Sequence, residues 1–163
     1  MKYTLVALME DKPGVLTRVA GLFRRRNFNI ESLSVGHSET PNISRMTIVV
    51  DGDNRVVDQV VTQLSKLINV TEVVDVSGKE TVIRELALIK VTAGPGTRTE
   101  IIELANVFRA RVVDVGTTSM TIEITGPESR VNSLIGLLAP YGLEELARTG
   151  RVAMVRNGNG TVQ

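Results

Sequence analysis

Few side chains in this sequence have the types and spacing that covalent chemistry needs. His37 is the single histidine among 163 residues, and cysteine is absent, which excludes thiolate nucleophiles, disulfides and zinc–sulfur centres. Ser32, Ser34, Ser38 and Ser44 would all depend on His37 as their base, and a lone exposed imidazole beside a loop reads as incidental. Glu144 and Glu145 fall on a strand, where alternation sends them to opposite faces and argues against a shared proton. Asp51, Asp53 and Asn54 sit at a turn and suit a hard cation only weakly, because the spacing of a calcium loop is not completed. Gly94-Pro95-Gly96 has neither the dinucleotide fingerprint nor the phosphate-loop lysine and reads as a turn. These residues argue against an enzyme and leave metal and catalytic sites unassigned.

Binding is better served, by Asp11-Lys12-Pro13-Gly14-Val15-Leu16. This stretch separates the strand-like run Tyr3–Met9 from a helix beginning near Gly14. Pro13 and Gly14 turn the chain, and the N–H groups of Gly14, Val15 and Leu16 lack helical partners, so they suit a carboxylate. Asp11 and the side-chain carbonyl of Asn29 can accept from an ammonium group, and Leu8, Ile30 and Val35 can flank a small aliphatic tail. Together they fit an amino-acid zwitterion better than a nucleotide. Asn29 begins the strand after the first helix and can lie far from Gly14 in one chain; two copies meeting by helix and strand edges would join the halves. The alternative is a tight strand-to-helix connection without a ligand.

The bulk composition agrees with a soluble domain protein. Hydrophobic residues make up 42% and charged residues 23%, and 19 basic against 18 acidic side chains leave a net charge of +1. No strong field draws nucleic acid or anionic membrane, and 3% aromatics without tryptophan offer no base-stacking platform. No apolar run reaches the length of a membrane span and no basic-then-apolar leader is visible, so the expected setting is cytoplasmic.

Periodicity supplies the elements that must position these residues. Tyr3–Met9 is apolar on both faces, as a central strand is. Leu16, Val19, Ala20 and Phe23 fall at helical spacing, and Arg24-Arg25-Arg26 closes that helix as a solvated, dipole-offsetting cap. Strands follow at Ile30–Gly36 and Arg45–Val50; a helix then carries Val57, Val60, Val61, Leu64 and Ile68, and a strand runs over Val70–Val76. Ser77–Glu80 is a polar break. Strand, helix, strand, strand, helix, strand is the ferredoxin-like order, an antiparallel four-stranded sheet with both helices on one face.

The second half repeats it. Glu85–Val91 is a strand, and the next helix places Ile101, Leu104, Ala105 and Phe108 where the first has Leu16, Val19, Ala20 and Phe23. Val112–Gly116 and Met120–Ile124 are strands, Val131, Leu134, Ile135 and Leu138 mirror the second helix, and Leu143–Arg148 closes the unit before a strand-like run at Arg151–Val155. The fold class is therefore α+β with two tandem ferredoxin-like units, divided as residues 1–77 and 78–163. Residues 157–160 read as a frayed tail. Only the first unit has counterparts of Asp11-Lys12 and Asn27-Phe28-Asn29, so the small-molecule site belongs there.

Asp11–Leu16 resembles the signature turn of ACT regulatory domains. Combined with Gly21-Leu22-Phe23, Asn29-Ile30-Glu31-Ser32-Leu33 and Ser44-Arg45-Met46-Thr47-Ile48, the chain closely resembles the regulatory (small) subunits of acetohydroxyacid synthase, also called acetolactate synthase. The resemblance implies an N-terminal ACT domain and a C-terminal ACT-like domain in a non-catalytic subunit. That subunit activates a large catalytic subunit, which holds thiamine diphosphate, magnesium and FAD, and confers feedback inhibition by valine, possible alternatives being leucine and isoleucine. It also implies a homodimer through the ACT domains, with effector residues Asp11, Lys12, Pro13, Gly14, Val15, Leu16, Asn29 and Ile30. A free-standing amino-acid sensor acting on another partner is the alternative.

Overall fold

The computed structural model of the chain describes residues 1–156. The tail expected to fray at 157–160 lies outside the described residues. The chain divides into two compact units, Met1–Val82 joined by the chain from Arg151, and Ile83–Gly150. Both have the ferredoxin-like order expected from the repeat.

In the first unit, strands β1 (Lys2–Glu10), β2 (Ile30–His37), β3 (Ile43–Asp51) and β4 (Val70–Asp75) form an antiparallel sheet in the order β2-β3-β1-β4. Helices α1 (Val15–Arg25) and α2 (Asn54–Ser65) supply the other half of the core. Alternation on β1 and β3 sends Leu5, Ala7, Met9, Met46, Ile48 and Val50 to the helix side, where all are buried. Removing a Leu or Ile side chain of this kind from water is worth about 1.5–3 kcal/mol, which is why these strands keep one register. Asp53 caps α2, accepting from the Val56 N–H at 3.0 Å. Asn54 Oδ1 accepts from the Tyr3 hydroxyl at 2.5 Å. Asp51 pairs with the chain's amino terminus at 2.9 Å, and that hydrogen bond holds its carboxyl below the usual carboxylate range.

Two expectations about the helices need correction. The buried stripe of α1 is Val15, Val19, Leu22 and Phe23; Leu16 is 47% exposed and Ala20 is also exposed. Both stripes have helical spacing, and only the sheet beneath decides which one turns inward. Ile68, expected on the stripe of α2, is 85% exposed because the helix ends at Ser65 and Ile68 sits in the following turn. Val57, Val60 and Leu64 are buried as expected.

The polar break at Ser77–Glu80 is tied to the first unit. The Thr4 N–H donates to Ser77 Oγ at 2.8 Å, and Thr81 Oγ1 donates to the Val76 carbonyl at 3.2 Å. The strand-like run near the end is β9 (Val152–Val155). Arg45 donates to the Ala153 carbonyl at 2.8 Å and Arg151 to Thr4 Oγ1 at 3.1 Å, which sets this returning segment beside the sheet face turned away from the helices. Ala153 is buried, and so are Thr4, Val6, Thr47 and Val49 of that face.

The second unit repeats the design with strands β5 (Thr81–Thr92), β6 (Arg111–Val115), β7 (Ser119–Gly126) and β8 (Leu143–Arg148) in the order β6-β7-β5-β8. Its helices are α3 (Arg98–Val107) and α4 (Glu128–Leu138). Ala87, Ile89, Val91, Met120, Ile122 and Ile124 meet Ile101, Ala105, Val131, Leu134 and Leu138 in its core. Glu85, also buried, is ion-paired to Arg148, whose Nε donates to Oε1 at 3.1 Å.

Candidate functional site

The loop Asp11–Gly14 is built by the end of β1 and the start of α1. Gly14 has φ +86° and ψ −12°, a left-handed conformation that glycine adopts without steric cost, and space is open where a Cβ would lie. It is the N-cap of α1 and offers no side chain to the first turn. The Arg18 N–H makes the first helical bond, to the Gly14 carbonyl at 3.0 Å. Val15, Leu16 and Thr17 are thus the first-turn positions without a helical acceptor. The Val15 N–H reaches the Lys12 carbonyl only at 3.4 Å, a long bond that a better acceptor can displace. Asp11, Lys12, Pro13, Gly14 and Leu16 are exposed.

Side chains around the loop are already partnered. Lys12 Nζ sits 2.8 Å from Glu10 Oε2, and Asn69 Nδ2 donates to the same oxygen at 3.2 Å. The Lys12 hydrogen bond, then that of Asn69, hold the Glu10 carboxyl below its ordinary range. Asp11 Oδ2 lies 3.0 Å from His37 Nδ1, and the Asp11 N–H donates to the Asn42 carbonyl at 2.8 Å. Asn42 is in a left-handed conformation, φ +64°. The stretch between β2 and β3 is organised around Ser38, which donates through both its N–H (2.9 Å) and its Oγ (2.6 Å) to the Ile43 carbonyl. Sequence reasoning set His37 aside as incidental. The signal that places it beside Asp11 is strand register, since His37 lies opposite Ser44 and Ser44 opposite Met9.

Asn29 and Ile30 are elsewhere. Ile30 pairs with Val50, and Val50 with Tyr3, at the far end of the sheet from Glu10. The seven-residue step from Tyr3 to Glu10 separates the two ends by about 23 Å. Asn29 Nδ2 donates to Glu31 Oε1 at 3.3 Å there, and Ile30 packs against the first core. The sequence-predicted residues thus form a cluster at Asp11–Leu16 and a second pair at the opposite end of β2, an outermost strand. Leu8 is not beside either; it faces a groove of about 450 Å³ on the other side of the sheet, with Val6, Arg45, Glu72, Val74 and Met154.

At the corresponding turn of the second unit the Thr97 and Arg98 N–H groups both donate to the Gly94 carbonyl at 3.1 Å. Thr97 Oγ1 accepts from the Gly94 N–H at 3.2 Å, and Arg98 donates to the carbonyls of Gly116 and Thr117, the latter at 2.8 Å. No helix among the described residues is long and apolar enough to cross a membrane.

Two tandem ferredoxin-like units, the first with an open polar turn at the start of its first helix, define an ACT-type protein. Family models agree unit by unit: residues 5–72 match the small subunit-like ACT domain of acetohydroxyacid synthase, and residues 84–157 match the small subunit of acetolactate synthase. The chain belongs to the acetolactate synthase small-subunit family. It is 58% identical over 156 residues to a protein of Archaeoglobus fulgidus named probable acetolactate synthase small subunit, covering 96% of this chain and 98% of that one. It is 51% identical over 158 residues to the acetolactate synthase small subunit of Mycolicibacterium smegmatis, covering 97% and 93%. The crystal structure of the small subunit from Thermotoga maritima superposes with a TM-score of 0.88 at 43% identity, covering 94% of this chain and 96% of that one.

Proposed function

We propose that this chain is the non-catalytic regulatory subunit of an acetolactate synthase, that it activates the catalytic subunit, and that valine bound at its first unit imposes feedback inhibition. The observation that carries the reading is the contrast between the two helix starts. In the first unit the turn is exposed and left-handed at Gly14, and the Val15 N–H has only a 3.4 Å bond to the Lys12 carbonyl; in the second, the Thr97 and Arg98 N–H groups both donate to the Gly94 carbonyl at 3.1 Å. An α-carboxylate on the N–H groups of the first turn and an α-ammonium on Asp11 together need the exposed one.

Asn29 and Ile30 complete the site across a homodimer. β2 is an outermost strand, and two copies paired antiparallel about a two-fold axis through its middle bring Asn29 of one chain to the His37 end of the other. Val35, an exposed apolar residue of β2 itself, favours association. The site then exists only in the dimer, so ligand binding and quaternary arrangement are coupled. Valine inhibits if it favours the arrangement that holds the catalytic subunit less active; a 10- to 100-fold effect needs about 1.4–2.8 kcal/mol of coupling. Thiamine diphosphate, magnesium and FAD belong to the catalytic partner, and the setting is cytoplasmic.

The test is calorimetric titration of the purified chain with valine, leucine and isoleucine, paired with assays of the catalytic subunit with and without the chain. Heat with valine, together with activation that valine reverses, is the expected result. Activation without heat from any of the three would leave a purely activating subunit and end the effector reading.

A further inference from the structure

The face of the first sheet turned away from α1 and α2 carries a groove of about 450 Å³, a volume in the range of small-molecule sites. Its floor is apolar, made by Val6 and Leu8 of β1, Val74 of β4 and, just past the end of that strand, Val76. Met154 and Val155 of β9 form a wall, and Met154 is 64% exposed, an apolar side chain left in water at the mouth. Arg45, Glu72 and Lys79 complete the lining. Strand register places two of these charges. Leu8 stands opposite Arg45 on β3 and opposite Glu72 on β4, so a cation and a carboxylate flank one apolar residue in a single row across the sheet. Arg45 donates through one guanidinium nitrogen to the Ala153 carbonyl and keeps further N–H donors. The Glu72 carboxylate has no side-chain partner among the described residues.

We propose that this groove binds a zwitterionic amino acid with an apolar side chain larger than that of valine. Its carboxylate meets Arg45, its ammonium meets Glu72, and its side chain lies over Val6 and Val74 against Met154. Neighbouring strands are about 4.8 Å apart, so the α-carbons of Arg45 and Glu72 stand about 10 Å apart and their side chains close on both charges of one ligand between them. A simple carboxylic acid would be repelled by Glu72, and a simple amine by Arg45; a zwitterion pairs both. The length of the floor sets the side chain. The Val76 N–H donates to the Thr4 carbonyl, and Thr4 is four residues from Leu8, so the apolar floor extends about 13 Å from the charged row. That exceeds what valine covers and accommodates leucine or phenylalanine. Leu8 points to the sheet face opposite that of Met9, which packs under the helices, so this groove is separate from the effector turn and does not depend on it.

The native full chain and its Gly14→Asp variant are titrated calorimetrically with alanine, leucine and phenylalanine, each with and without Glu72→Gln or Met154→Ala. Glu72 and Met154 are exposed, so their replacement does not threaten the fold. Leucine and phenylalanine are expected to bind both the native and the Gly14→Asp chain. Each methylene removed should weaken binding about fourfold, which puts alanine at least about tenfold behind leucine. Glu72→Gln should weaken leucine about tenfold in either background, through loss of a charged hydrogen bond. Met154→Ala should weaken it a few-fold. Leucine affinity unchanged by both Glu72→Gln and Met154→Ala overturns the proposal. So does leucine heat that disappears with Gly14→Asp alone, which would place leucine at the effector turn, and so does the absence of heat from leucine and phenylalanine with the native chain.

Discussion

Gly14 separates fold stability from ligand binding more cleanly than any other position in the first unit. It sits at φ +86° as the N-cap of α1, with nothing within 4 Å of where a Cβ would be. Gly14→Ala therefore meets no clash and costs only backbone strain, about 1–2 kcal/mol for a left-handed alanine. Gly14→Asn relieves most of that, because asparagine tolerates this conformation. Gly14→Asp shares this tolerance, and its carboxylate gains about 0.3–1 kcal/mol at the helix N-terminus. Unfolding midpoints should thus rank wild type, Asn and Asp close together, with Ala lowest. Valine affinity should rank differently. An aspartate carboxylate about 4 Å from the ligand's carboxylate costs roughly 2–4 kcal/mol at intermediate effective dielectric, a loss of about 30- to 1000-fold. Activation of the catalytic subunit should survive in all three variants. Urea unfolding and calorimetric titration on the same preparations decide the matter. A Gly14→Asp protein that binds valine within threefold of wild type would refute the placement of the effector carboxylate at this helix start.

Other consequences concern the scaffold. Leu22 is buried and Leu16 is 47% exposed, so Leu22→Ala should cost about 2–5 kcal/mol in denaturant unfolding and Leu16→Ala less than about 1 kcal/mol; the reverse order would show that α1 is packed in a different phase. Arg148→Ala strands the buried Glu85 carboxylate and should cost about 2–3 kcal/mol, less than for a fully buried pair because the guanidinium reaches solvent; replacing both residues by leucine should recover most of that loss. The Glu10 carboxyl is held low by Lys12 and then Asn69, so its contribution to stability is present at neutral pH and is lost as pH falls through its folded value. The difference in urea midpoint between wild type and Lys12→Ala should accordingly be visible at neutral pH and vanish once the carboxylates are protonated.

Spacing along the chain determined the architecture. Apolar residues at every second position in β1, β3, β5 and β7, broken by helical stripes in α1 to α4, admit one economical arrangement, and its recurrence identified two like units. The loop Asp11–Leu16 was legible for the same reason: Pro13, Gly14 and the helix after them are local, and local backbone chemistry suffices to place N–H groups at a helix start. What remained hidden depends on contacts between residues far apart in sequence. Leu16 and Ala20 share a helical period with the true core stripe, and periodicity cannot choose between neighbouring stripes until a sheet lies beneath one of them. Ile68 continued a spacing whose helix had already ended. The return of β9 beside the β1–β3 face depends on Arg45 and Ala153, which are 108 residues apart. His37 meets Asp11 only because β2 and β3 pair in one register, and Asn29 is carried to the opposite end by that same register. Residue types and their local spacing determined which groups could bind an amino acid; strand pairing decided which of them stand together in one chain.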